Sequence, residues 1–121
     1  MLSEANISRL LDIANAGCHK GCVADARSIY HAVLTEKPQL PAARIGMALS
    51  HIVVNEFDSA EQELNAVLER DANDADALAM LGLCFMLAGK KEEAEATLSP
   101  LAEQDSTQAQ LARDLLEQVR A

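Results

Sequence analysis

The chain has 121 residues, 50% of them apolar and only 2% aromatic, and carries a net charge of −9. This acidity argues against nucleic acid and anionic membrane surfaces as partners, because both require a basic face. The first residues lack the basic start and apolar core of a signal peptide, and no apolar run is long enough to span a bilayer, so we expect neither feature. Three cysteines, an odd number, favour a reducing cytosol.

Apolar residues recur at helical spacing through the first half of the chain. Ser3 is expected to cap the first helix, and the second helix is predicted to run from about Val23 to Glu36. Pro38 then breaks the chain, because proline cannot continue a helix from its interior. The third helix is predicted over about Pro41 to Asn55, with proline in its permissive first turn.

Three further helices are predicted in the second half. Asp58 or a neighbour is expected to cap the fourth helix, and the fifth runs from about Asp76 to Ala88, before Gly89. The sixth starts near Lys91 and contains Pro100, where we expect a kink or an early end.

A seventh amphipathic segment closes the chain. Asp105 and Ser106 are expected to cap a last helix that continues through Val119. It combines a charged outer face with an apolar stripe, which is typical of the solvating cap at the end of a helical-repeat stack. The stripe consists of Ala109, Leu111, Ala112, Leu115, Leu116 and Val119.

The most informative pattern is a sequence repeat. Its copies follow one another at a constant interval, without gaps, and we call this interval the repeat period. The repeated positions hold a small, a small and a large apolar residue: Ala14, Ala48 and Gly82; Ala26, Ala60 and Ala94; Tyr30, Leu64 and Leu98. A period of about 34 residues with these residue sizes is the signature of the tetratricopeptide repeat (TPR). We therefore predict an all-α fold, a TPR superhelix forming a single domain over 1–121. It comprises three helix–turn–helix repeats, about 7–40, 41–74 and 75–108, plus a C-terminal capping helix at about 106–120.

The first helix of each TPR lines the inner, concave side of the stack, and here that side is mostly aliphatic. The candidate guest-binding residues are Leu11, Asn15, Ile45, Leu49, Ile52, Val53, Ala79, Leu83, Met86 and Leu87. An exposed apolar patch of this extent, on the order of 500 Å², is at or above the largest on a typical monomer. It favours a groove for an amphipathic helix from another protein. The alternative is that the superhelix closes on itself, or that the last helix folds back into the groove.

Chemistry-bearing residues do not form a recognisable site. Cys18, His19 and Cys22 lie close in sequence, but structural zinc sites use four ligands in paired spacing and no second pair is present. The histidines are scattered, without a nucleophile motif or a glycine-rich phosphate loop. We therefore expect no metal, no cofactor and no enzymatic activity.

Two stretches, Ile13–Ala26 and Leu83–Gly89, resemble a known family. They are similar to the small TPR chaperones of bacterial type III secretion needle subunits, of the YscG, EscG and SsaH type. The length, the three repeats and the acidic balance fit that family over the whole chain.

The resemblance implies a cytoplasmic bacterial chaperone with a role in protein transport and virulence. Its groove would hold the C-terminal amphipathic helix of the needle-forming subunit and prevent premature polymerisation. A very small helical-hairpin co-chaperone would pack on the N-terminal repeat, which makes a heterotrimer. Because no repeat covers the first one in the predicted stack, Ile7, Leu10 and Ala14 are the expected co-chaperone contacts.

Two other functions remain open from the sequence. One is a chaperone of secreted translocator proteins, which would bind a more extended peptide. The other is a self-associating TPR scaffold, in which the groove meets a second copy of the chain.

Overall fold

Seven α-helices and no strand make up the computed structural model over the residues it describes, 2–121. They are α1 Glu4–His19, α2 Val23–Glu36, α3 Pro41–Ile52, α4 Phe57–Arg70, α5 Ala75–Leu87, α6 Lys91–Ala102 and α7 Thr107–Arg120. The second helices of the repeats begin at Val23, Phe57 and Lys91, each one repeat period after the last. The predicted all-α TPR fold is therefore confirmed.

Three helices begin at a side-chain cap. Ser3, Asp74 and Ser106 each accept a hydrogen bond from the backbone N–H three residues later, at 3.1, 3.0 and 3.0 Å. Such caps satisfy one of the amides that a helix start leaves unpaired. The caps predicted at Ser3 and Ser106 are confirmed, and α5 begins at Ala75 because Asp74 is its cap.

The first helices of the three repeats end in the same way. Gly21, Asn55 and Gly89, which stand at the same position of successive repeats, have φ angles of 85°, 63° and 80°. The amide that follows each of them bonds the carbonyl five residues earlier at 2.8 Å, which is a Schellman motif. The prediction that α3 runs to Asn55 is therefore wrong: the helix ends at Ile52, because Asn55 turns the chain left-handed.

Replacing Asn55 with Ala should destabilise the protein by about 1 kcal/mol, because a Cβ without a polar partner disfavours the left-handed region. Asn55→Gly should not destabilise it, since Gly21 and Gly89 hold the same turn. Chemical denaturation checks both variants. Asn65→Ala, on an exposed position of α4, is the control and should be neutral or slightly stabilising, because Ala favours a helix interior. Equal stabilities of the two Asn→Ala variants would contradict the assignment.

Two further predictions concern helix bounds. Asp58 does not precede α4 as its cap but lies in the first turn, since α4 begins at Phe57. Pro100 does not end α6 where it stands, because the helix continues to Ala102. Pro100 lies two residues before that end, and α6 has 12 residues where α4 has 14.

The chain divides into two compact units, one ending at Glu63 and one comprising Leu64–Ala121. In the first unit α1, α2 and α3 enclose a core in which Tyr30 is fully buried. The Tyr30 ring lies against Gly46 of α3, where an added Cβ would come within 2.3 Å of Cε1. Only glycine permits this approach of α2 and α3.

In the second unit α5, α6 and α7 pack around a separate aliphatic core. Leu98 occupies the repeat position of Tyr30 and is fully buried. It contacts Gly82 of α5, where an added Cβ would lie 2.3 Å from Leu98 Cδ2. The single domain expected from the sequence stays a prediction.

Candidate binding surface

In the first unit the predicted guest-binding residues divide into core and surface. Leu11 is 9% exposed and Ile52 is 5% exposed, so both belong to the packed interior. Ile45 and Leu49 are half-buried, and Val53, at the end of α3, is 40% exposed. These three follow one another at intervals of four and share one face of α3. We call them the α3 stripe.

Asn15 has a partner within the first unit. The hydroxyl of Tyr30 donates a hydrogen bond to Asn15 Oδ1, and the same hydroxyl lies 3.7 Å from Cys18 Sγ. Burial of the ring raises the pKa of Tyr30 above its ordinary value. Asn15 therefore satisfies a buried phenol, which accounts for a polar residue at this otherwise apolar position.

In the second unit the predicted guest-binding residues again divide into buried and partly exposed ones. Ala79 is buried, Leu83 and Met86 are half-buried, and Leu87 is 50% exposed. Leu83, Met86 and Leu87 have the i, i+3, i+4 spacing of one helix face, and we call them the α5 stripe. Leu83 and Leu87 stand one repeat period after Leu49 and Val53, so the two stripes occupy equivalent repeat positions.

One apolar surface was missed from the sequence. Leu111 on α7 is 47% exposed and Leu115 is half-buried, although the sequence assigned both to the stripe of a capping helix. The feature that exposes them is the shorter α6, which has 12 residues where α4 has 14 and so changes the register of α7.

The residues predicted to contact a co-chaperone are largely internal. Ile7 is 7% exposed and Ala14 is 1% exposed, both within the first-unit core, and Leu10 is half-buried. Packing of α1 on α2 and α3 covers them. They are therefore less accessible than the sequence led us to expect.

A different face of α1 is open. On α3, the side that packs on α2 is buried and comprises Ala43, Gly46, Met47 and Ser50. The residues one repeat period earlier, on α1, are exposed: Arg9, Asp12, Ile13 and Ala16. We call these four the open α1 face. Ile13 is 60% exposed and borders a depression of about 420 Å³ that Gly17 and Ile29 also line. This apolar depression lies between α1 and α2.

A polar cluster joins α2 to the end of α3. Arg27 Nε donates to the buried Ser50 Oγ at 3.0 Å, and Arg27 Nη2 lies 2.5 Å from Glu56 Oε1. His51 Nδ1 lies 2.8 Å from the same carboxylate oxygen. Hydrogen bonds from His51 and then from Arg27 lower the pKa of the Glu56 carboxyl. The cluster holds the turn after α3 against α2.

Glu56→Gln should lower Tm near neutral pH and cease to matter in acid. A carboxyl whose folded pKa is depressed contributes stability above its unfolded pKa, and that contribution is lost as the pH falls through the folded value. The difference in Tm between wild type and variant should therefore be present above pH 4.5, the ordinary glutamate value, and shrink below it. Thermal melts across this range check the trend, and a difference that stays constant would contradict it.

The described residues show little that could support metal chemistry. Cys18 is buried, Cys22 is exposed and Cys84 is buried, and all three are thiols. Within residues 2–121, no three potential ligands from His, Cys, Asp and Glu cluster as a metal ion would need. Over the same range, no helix combines the length and the apolar character that crossing a bilayer requires.

The fold and its open faces define a tandem helical-repeat protein. The chain belongs to the tetratricopeptide repeat family, whose model matches residues 20–83 and 64–119. Protein CTR9 homolog of Arabidopsis thaliana is 30% identical over 84 residues, which make up 69% of this chain. The chain spans only 8% of the length of that curated relative.

Solved structures share the fold. The type III secretion translocator chaperone SycD of Yersinia enterocolitica aligns with a TM-score of 0.77 over 99% of this chain and 87% of that chain, at 17% identity. A type III secretion complex from Aeromonas hydrophila gives 0.77 over 98% and 83%, at 19% identity. At these identities the likeness is one of fold.

Proposed function

We propose that this chain is a cytoplasmic bacterial chaperone of a type III secretion needle subunit. It binds the subunit's C-terminal amphipathic helix and prevents polymerisation before export. The observation that carries the proposal is the pair of partly exposed aliphatic stripes at equivalent repeat positions on α3 and α5.

Each stripe suits a helical guest. Leu49 on α3 and its C-cap Val53, like Leu83 and Leu87 on α5, present branched aliphatic side chains one helical turn apart. An amphipathic helix offers anchors at i, i+3, i+4 and i+7, so its own apolar face repeats at the same interval. Each anchor buried would contribute roughly 1–3 kcal/mol before ordering costs. A guest held in this way is bound firmly and still exchangeable.

The mechanism needs no covalent step. A needle subunit polymerises through apolar helix faces, and a chaperone that covers such a face removes it from assembly. Bound and free guest then exchange by mass action, so removal of the guest at the export gate empties the chaperone. We propose a role in protein transport, with no catalytic residue and no cofactor.

We place the small helical co-chaperone on the open α1 face. Ile13 is the most exposed large apolar residue of the first unit, and the depression beside it is lined mostly by small and aliphatic residues, together with Lys20 and Asp25. Leu10, half-buried, lies on the same helix, whereas Ile7 and Ala14 are part of the core beneath it. A helical hairpin seated there would complete a heterotrimer with the needle subunit.

Co-expression tests the proposal. The chain is produced with the needle subunit of the secretion system in its own genome, with and without the subunit's C-terminal helix. We expect the full subunit to stay monomeric in an equimolar complex, and the truncated subunit to be released. A needle subunit that polymerises equally fast in the presence of the chain would refute the proposal.

The second candidate is a chaperone of secreted translocator proteins. It is favoured by the likeness in fold to SycD, a translocator chaperone, over 99% of this chain. The same co-expression with a translocator in place of the needle subunit separates the two. Capture of the translocator alone would establish the second candidate.

A further inference from the structure

The last helix has one side that its own unit leaves open. Its buried residues, which pack toward α5 and α6, are Ala109, Ala112, Leu116 and Val119. Leu111 is nevertheless 47% exposed and Leu115 only half-buried. A helix that only capped the stack would place polar residues at these positions.

A hydrogen bond identifies the direction of this open side. Gln108 Nε2 of α7 donates to Asp76 Oδ1 of α5 at 3.0 Å, next to the starts of both helices. Residues three and seven positions after Gln108 share its helix face, so Leu111 and Leu115 lie on the side of α7 nearer α5. Leu115 and Leu83 each stand seven residues after their member of this pair, on α7 and α5 respectively.

The register of α7 explains why these leucines face this way. α5 begins at Ala75 and α7 at Thr107, an interval two residues short of the repeat period, since α6 is two residues shorter than α4. By the full repeat period, Arg113 and Glu117 would be the equivalents of Ala79 and Leu83. Because α7 begins two residues earlier, Leu111 and Leu115 take these two positions on the helix instead.

Charge distinguishes the two sides of α7. Its two arginines turn to α6: Arg113 Nε donates to the Ala102 carbonyl at 3.0 Å, and Arg120 Nε lies 2.6 Å from Glu95 Oε1. Asp114 stands three residues after Leu111 and accepts from Gln110 Nε2 at 3.1 Å, and Asp76 accepts from Gln108, so the charged groups next to the leucines are carboxylates. A partner with basic residues beside its apolar stripe would complement this face.

We propose that α7 forms an outer wall of the guest-binding surface, in which Leu111 and Leu115 contact an amphipathic helix whose apolar stripe is flanked by Lys or Arg. This inference rests on the proposed function and adds the chemistry of the guest. Leu111 and Leu115 extend the α5 stripe onto a second helix of the same unit.

Binding of two synthetic helical peptides by the full chain tests the proposal. Both carry leucines at i, i+3, i+4 and i+7, flanked by Lys in one and by Glu in the other. Fluorescence anisotropy should show the Lys peptide binding about tenfold more tightly, and Leu111→Gln should weaken it by about tenfold. Val54→Gln is the matched control, since Val54 is 44% exposed and lies outside the stripes.

The outcomes separate the two proposals. Unchanged affinity in Leu111→Gln, with affinity lost in Leu83→Glu, would overturn the role of α7 and leave the proposed function standing. Unchanged affinity in both variants would overturn both. Equal binding of the Lys and Glu peptides would overturn the basic flank. A homodimer that Leu111→Gln dissociates would show that a second copy occupies this face instead.

Discussion

Leu83→Glu should abolish capture of the guest helix and leave the helical content unchanged. Leu83 is half-buried within the chain itself, so a longer polar side chain can still reach water when no guest is bound. In the complex the same carboxylate would be buried against an apolar stripe without a partner, which is costly. We expect more than about a 100-fold loss of affinity, equivalent to roughly 3 kcal/mol. Titration calorimetry against the needle subunit's helix, with circular dichroism as the fold check, measures this.

Two further variants complete that test. Leu49→Glu makes the equivalent change in the α3 stripe and should also weaken binding strongly, since Leu49 is similarly half-buried. Val54→Glu introduces the same charge at a residue that is 44% exposed but outside both stripes, and should bind as wild type does. Undiminished affinity in Leu83→Glu would remove the α5 stripe from the binding surface.

Gly46→Ala should destabilise the protein strongly although it adds only one methyl group. The new methyl would lie 2.3 Å from Tyr30 Cε1 and 2.7 Å from Cζ. The aromatic ring cannot turn aside easily, because it is rigid, fully buried and held through its hydroxyl by Asn15. Overpacking of this kind costs about 2 kcal/mol after relaxation. For a chain of this size, that corresponds to a fall in Tm of roughly 8 °C.

Gly17→Ala is the matched control. An added Cβ there would make only ordinary contacts, the nearest at 3.6 Å, and Gly17 lies within α1. The substitution should be neutral or stabilising by up to about 1 kcal/mol, because Ala favours a helix interior. Tyr30→Leu should partly rescue Gly46→Ala by removing the ring, so the two substitutions are coupled. Equal Tm values for the two Gly→Ala variants would contradict the proposed packing.

Helix starts and the repeat period were accessible from the sequence, because both depend on local chemistry. Ser3 and Ser106 cap helices as their hydroxyls predict, and α2 has the predicted bounds. The end of α3 was misplaced because apolar residues continue past it into the turn. The signal was present, since Asn55 stands one repeat period from both Gly21 and Gly89.

The binding surface was harder to predict, because exposure depends on what neighbouring helices cover. Leu11 and Ile52 have the right residue type and repeat position, yet both are buried, Leu11 in the core of the first unit. Leu111 is the opposite case, an apolar residue of the predicted capping helix that is 47% exposed. Counting in steps of the repeat period hides the shift of two residues that follows from the shorter α6, and with it the orientation of α7.

Native mass spectrometry of the tagged chain, purified from its own cell, tests the central claim most directly. We predict a complex of this chain with the needle subunit and a second small helical protein, from which Leu83→Glu loses the needle subunit alone. Recovery of the chain by itself, as a dimer or larger assembly, would contradict the account and assign the apolar stripes to self-association.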